Sequence, residues 1–216
     1  MFLTTLNAIL AGAALAAAVR AAGSFRFRTL VRAYAASAFC LGLLVAGLGA
    51  VRHEPQMYWL AASSVALKAF IIPAVLVRAA ERAGMAMRLS SVWRPATTYL
   101  AILALIAAVT VAVIRSPFAA NADPEYLLFV GVALLIVGFS MMIVRRDLLS
   151  QVMGFLIMEN GVAAFSFAVV RDLPFLVELG ILMTLTFGIV LMGTVSGRVR
   201  ELYGTENTQA MRDLTD

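Results

Sequence analysis

From Tyr126 to Val144 the chain runs without a single charged side chain, and stretches of this kind recur along its length. Seven can be drawn, at about Leu3–Val19, Ala33–Val51, Met57–Leu76, Thr98–Ile114, Pro124–Val144, Leu148–Val170 and Leu173–Val195. At ~1.5 Å of rise per residue each comes close to the hydrocarbon thickness of a bilayer, with the first and fourth the shortest. Inside lipid every backbone N–H and C=O must be satisfied within the protein, so only helices and closed barrels cross it. These runs are too long and too uniformly apolar for the alternating pattern of barrel strands. The expected fold is therefore all-α, a polytopic integral membrane protein with seven transmembrane helices.

Composition agrees. Of 216 residues, 62% are hydrophobic and 13% charged, whereas soluble domains are about half apolar and about a quarter charged. The net charge of +5 comes from arginines that keep to the loops. In a soluble protein such a balance would raise the question of nucleic acid; here it is the signature of membrane topology, with no nucleic-acid partner. Arg20, Arg26, Arg28 and Arg32 follow the first span, Arg78, Arg82, Arg88 and Arg94 the third, Arg145 and Arg146 the fifth, and Arg198, Arg200 and Arg212 the seventh. The alternate loops hold Arg52, Arg115 and Arg171. Positive charge marks the cytoplasmic side, so the N-terminus is expected outside and the C-terminus inside. The N-terminus lacks a basic region before its apolar run, which reads as a first span and not a cleaved signal peptide. Trp59 and Trp93 are candidate interface anchors. The longest connection, Arg78 to Pro95, reads as an ordinary basic loop or a short surface helix. The polar tail after Ser196 carries no apolar stripe beyond Leu202 and is either disordered or docked on a cytoplasmic partner.

Few kinds of chemistry are available. The one cysteine, Cys40, excludes a disulfide frame or a Cys/His metal spacing. The one histidine, His53, stands beside Glu54 in a short connection and reads as a loop residue. No phosphate-binding loop, nucleophile elbow or HExxH occurs.

What remains are three charges inside spans. Lys68, the only lysine, lies near the middle of the third span. Burial can lower a lysine's pKa far enough for proton exchange, which an arginine in practice does not undergo. Ser64 is one helical turn away, and Pro73 frees the carbonyl of Ala69, so the spot is polar and locally kinked. The alternative is snorkelling, but a central lysine has ~15 Å to travel to either interface. Glu159 lies mid-span in the sixth helix and shares a face with Gln151 and Ser166, as a water-lined path requires. Asn160 points elsewhere and is placed to bond a neighbouring helix, while Gly154 and Gly161 permit close helix approach or a local bulge. Glu178 enters the seventh span roughly 8 Å from its outer end, with Thr186 on its face. It is either a path residue or an interfacial carboxylate wetted by bilayer thinning. The two carboxylates differ in depth by roughly 8 Å, a gap for one or two waters.

The segment R-R-D-L-L followed by G-F-L-I-M-E-N, from Arg145 to Asn160, resembles the second helix of the K-type subunit of bacterial NADH:quinone oxidoreductase, complex I. V-E-L-G around Glu178 is similar to the start of that subunit's third helix. Over its whole length the chain more closely resembles the E-component of hydrogenase-4, a longer K-like membrane subunit of group 4 nickel–iron hydrogenases. L-I-M-E-N-G, F-L-V-E-L-G and S-S-V-A-L-K-A-F-I-I-P carry that resemblance. It implies three portions: a four-helix membrane part at 1–123, a K-type three-helix unit at 124–196 and a cytoplasmic tail at 197–216. It implies a non-catalytic subunit of a formate hydrogenlyase-type oxidoreductase complex in the bacterial inner membrane, on a proton or sodium path lined by Glu159, Glu178 and Lys68. The expected partners are antiporter-like subunits, an H-type subunit and a peripheral hydrogenase arm. The NiFe centre and iron–sulfur clusters are expected in those partners, with no cofactor in this chain. Two departures stand out: Leu156 occupies the place of the K-type second-helix Glu, one turn before Glu159, and Thr184 stands where E-components often have an acid. A multi-subunit cation/proton antiporter, complex I proper and a purely structural scaffold are the alternative assignments.

Overall fold

The computed structural model describes residues 2–82, 95–115 and 124–169, all within one compact unit, Met1–Phe175. The seventh span with Glu178, Thr184 and Thr186, the tail at 197–216, Trp93 and Arg171 lie outside the described residues. Among the described residues every regular element is helical: α1 (Phe2–Ala22), α2 (Phe27–Arg52), α3 (Gln56–Ser64), a π-helical segment (Val65–Ile71), α4 (Ile72–Arg82), α5 (Pro95–Ile114), α6 (Glu125–Val144) and α7 (Leu148–Val169). The third span is a single path through α3, the π segment and α4. Among the described residues six paths are long and apolar enough to cross a membrane, so the chain is a multi-pass membrane protein.

The helices alternate in direction, and contacts at their ends show it. At one end the Arg145 guanidinium, at the close of α6, reaches the backbone between α1 and α2. At the same end Arg28, in the first turn of α2, meets Glu81 of α4 at 2.8 Å. At the other end Arg52 of α2 donates to the Phe167 carbonyl of α7 at 3.4 Å. The α1–α2 and α6–α7 connections and the close of α4 thus share one end of the bundle. His53 closes α2 in the left-handed conformation, φ 57°, its N–H turned back to the Gly49 carbonyl, which lets the chain reverse within a few residues into α3.

Helix α2 starts earlier than its apolar run suggests, at Phe27 instead of Ala33. Arg28 and Arg32 are exposed on its first turns. Long basic side chains can occupy a helix end and still reach water, so charge there does not interrupt the helix.

The closest pair is α6 with α7. Gly131 lies against Gly161, and Gly138 against Gly154. A Cβ on Gly131 would come within 2.6 Å of the Phe165 backbone nitrogen, and one on Gly161 within 2.6 Å of that of Leu135. Lipid offers no hydrophobic drive for helices to associate, so close backbone approach through small residues supplies the packing. The close approach expected at Gly154 and Gly161 is present; its matching half, Gly131 and Gly138, has the same seven-residue spacing. Helix α2 packs on α1, on α3 and its π segment, and on α7. It is the element through which the third and sixth spans are joined.

Candidate functional site

The third span reaches the bundle centre through a defect in its own ladder. Pro73 has no N–H and cannot donate to a carbonyl one turn back. The preceding turns widen into the π segment Val65–Ile71, where the Ile72 N–H bonds the Leu67 carbonyl five residues back. Such segments are rare and concentrate at functional sites. Lys68 lies within it and is 2% exposed. Gly42 of α2 packs against Val65, which seats the widened turn on its neighbour.

Across from it, α7 carries Glu159, 3% exposed. The Lys68 Nζ stands 3.2 Å from the Glu159 Oε1. Each partner is some ten or more residues from either end of its span, so the pair sits near mid-bilayer depth by helix geometry. Removing two ions from water is costly, and their attraction offsets that cost only when they meet. Breaking the pair leaves one uncompensated charge, which is the property a charge-driven switch needs.

The other residues singled out in the sequence divide. Asn160, 2% exposed, follows Glu159, and its Nδ2 has no hydrogen-bond partner among the described residues. Ser64 is half-buried at the start of the π segment, and Ser166 is half-buried two turns beyond Glu159. Gln151 is engaged elsewhere: its Nε2 donates to the Arg145 carbonyl at 3.1 Å. Glu178 and Thr186 lie outside the described residues.

Sequence reasoning passed over two residues. Tyr34 of α2 is fully buried, and its hydroxyl has no hydrogen-bond partner among the described residues. The start of α2 at Phe27, instead of the expected Ala33, places Tyr34 two turns inside the helix. The second is Arg145, which read as a loop cation but is 2% exposed. Its Nη2 donates to the Ala22 and Ser24 carbonyls at 2.5 and 2.7 Å, and its guanidinium lies 5.0 Å from the Phe25 ring centroid. Burial pushes this guanidinium below its ordinary pKa, while Asp147 and Tyr99 act in the opposite direction. Asp147 also starts α7, its Oδ2 accepting the Ser150 N–H at 2.8 Å, an N-cap in the R-R-D-L-L hinge.

These features define a class: a multi-pass helical membrane protein with a buried lysine–carboxylate pair at its centre and a basic end pinned by a buried arginine. Comparison with known proteins narrows it. The family model of NADH-ubiquinone/plastoquinone oxidoreductase chain 4L matches residues 126–216, so the C-terminal part carries a chain 4L-type domain. The chain is homologous to hydrogenase-4 component E of Escherichia coli (strain K12), 25% identical over 174 residues that cover 80% of each chain. It is 28% identical over 157 residues, 70% of each chain, to an uncharacterized protein of Mycobacterium tuberculosis. No solved structure matches.

Proposed function

We propose that this chain is a membrane-arm subunit of a complex I-like assembly of the hydrogenase-4 type, and that its Lys68–Glu159 pair is part of an ion path driven by redox chemistry elsewhere in the complex. The chain 4L-type domain and the likeness to hydrogenase-4 component E support the assembly. The observation that carries the role is the ion pair at 3.2 Å, buried on both sides. An added proton leaves the lysine ammonium beside a neutral carboxylic acid; a removed one leaves a neutral amine beside the carboxylate. Either state puts one net charge in a low-dielectric interior, where it acts strongly on neighbouring charges and water. The pair is thus able to convert proton arrival into an electrostatic signal, or the reverse. In this reading Glu178 extends the path and residues 124–196 form the K-type unit. The arginine-rich end faces the cytoplasm of a bacterial inner membrane, with the N-terminus out and the C-terminus in.

The subunit is non-catalytic in this reading. A nickel–iron centre and iron–sulfur clusters take several cysteine thiolates. This chain has only Cys40. Those groups are assigned to a peripheral hydrogenase arm, with antiporter-like and H-type membrane subunits as the other neighbours.

The deciding experiment is Glu159→Gln in the intact complex reconstituted in vesicles. Coupled ion transport is expected to be lost while the complex assembles. Unchanged transport per turnover would reject the path role and leave a scaffold.

A further inference from the structure

The third and sixth spans bring the ion pair together, and the second span touches both. Its inward face carries Tyr34 and, one turn on, Ser37. Ser37 is committed, its Oγ donating to the Ala14 carbonyl of α1 at 2.9 Å. Tyr34 is not: the side chain is wholly buried and its hydroxyl has no hydrogen-bond partner among the described residues.

Depth gives this hydroxyl a direction. Helices α2 and α7 both start at the arginine-rich end, and Tyr34 lies seven residues into α2 while Glu159 lies eleven into α7. At ~1.5 Å per residue Tyr34 is therefore nearer that end than the carboxylate by roughly 6 Å. The two helices that carry Tyr34 and Glu159 pack on each other. A tyrosine in a bilayer usually stands at the interface with its oxygen in the headgroups; this one is turned into the bundle. Phe would pack the same space without a hydroxyl to satisfy. A buried polar atom that the protein leaves unbonded is typically satisfied by an internal water with further polar partners. A phenol both donates and accepts, so it can pass a proton along such a chain by accepting one hydrogen bond while donating another.

We propose that the Tyr34 hydroxyl is a relay residue of the ion path on the arginine-rich side of the Lys68–Glu159 pair, linked through internal water to the Glu159 carboxylate. The proposal rests on the path role of that pair. It adds a third helix to the path and assigns the half between the pair and the arginine-rich end.

The test is Tyr34→Phe in the intact complex, reconstituted in vesicles beside Glu159→Gln, with ion uptake read per redox turnover. Tyr34→Phe keeps the ring and removes only the oxygen. Assembly is expected to be normal and coupled transport to fall by roughly 100-fold, the usual scale for losing a positioned proton-transfer group. Normal transport in Tyr34→Phe with loss in Glu159→Gln overturns the relay and leaves the pair's role standing. Normal transport in both rejects the path itself. If Tyr34→Phe does not assemble, a cryo-EM map of the wild-type complex decides. Water bonded to the Tyr34 oxygen and leading toward Glu159 supports the relay; a hydroxyl bonded to a fixed protein group, without water, overturns it.

Discussion

Among the described residues two cations are buried to the same degree, Lys68 at the centre of the bundle and Arg145 at its basic end, each 2% exposed. They are neutralised in opposite ways. Lys68 faces a carboxylate, a full charge that is itself able to accept a proton. The Arg145 Nη2 faces two backbone carbonyls and the guanidinium lies near an aromatic ring, fixed dipoles that never titrate. The residue types match the surroundings. A guanidinium stays charged, and its planar fork suits two acceptors at once. In the proposed function the first site holds a charge that chemistry elsewhere moves. The second uses charge as a permanent fastener, tying the α6–α7 hinge to the α1–α2 connection. A buried cation in a membrane span is therefore not by itself a sign of transport; what decides is whether its partner can titrate.

The largest effect that would break this comparison is expected at the centre. Lys68→Met or Glu159→Leu alone leaves one buried ion without its counter-charge, and each is expected to cost about 3–5 kcal/mol of stability. Lys68→Met with Glu159→Leu together removes both ions and is expected to lie within ~1–2 kcal/mol of wild type, because a buried pair is often replaceable by apolar side chains at little loss. Thermal unfolding of the purified complex, run as a double-mutant cycle, measures the coupling. Additive single effects would mean that the two groups do not pair. Arg145→Lys comes next. It keeps the charge but replaces the planar fork by one ammonium, so at least one carbonyl contact weakens. About 2 kcal/mol is expected, near the value of a hydrogen bond to a charged group. Proteolysis of the α1–α2 connection should accelerate, while transport per turnover in assembled complex stays normal. Lost transport in an assembled Arg145→Lys complex would place the arginine in the path and not in the frame.

How much of this was legible in the sequence depended on whether a feature is local. Charge inside an apolar run is local, so Lys68 and Glu159 stood out at once. Their pairing was not readable, since it joins residues 91 positions apart through the packing of a third helix. Pro73 signalled a disturbed ladder, but a proline alone does not tell a kink from a π-helical stretch. Gly154 and Gly161 were recognisable as small residues; Gly131 and Gly138 acquire meaning only when the two helices are laid antiparallel. The engagement of Gln151 was not readable from its face, because residues near a helix start bond the adjoining connection, as its amide does with the Arg145 carbonyl. Tyr34 was passed over because hydropathy locates the water boundary by charge, and the arginines on the first turns of α2 shift that boundary inward from its true start at Phe27; the burial of Arg145 comes from the α1–α2 backbone it meets, a contact that is not local in the sequence.

The smallest expected effect separates charge from dipole at the basic end. Asp147 is the acid whose charge acts most on Arg145, and it is also the cap of α7. If Arg145 is held mainly by carbonyl dipoles, its hold should not depend on that charge. Asp147→Asn keeps an oxygen that can accept the Ser150 N–H and removes the charge, so it is expected to stay within about 0.5 kcal/mol of wild type, as an Asn cap is nearly as good as an Asp one. Asp147→Ala also removes the cap acceptor and should cost about 1 kcal/mol. The two variants share the loss of charge, and their difference isolates the cap. A penalty for Asp147→Asn as large as that for Arg145→Lys would show that Arg145, like Lys68, is held by a counter-charge. The distinction between a titratable pair at the centre and a dipole fastener at the end would then fall.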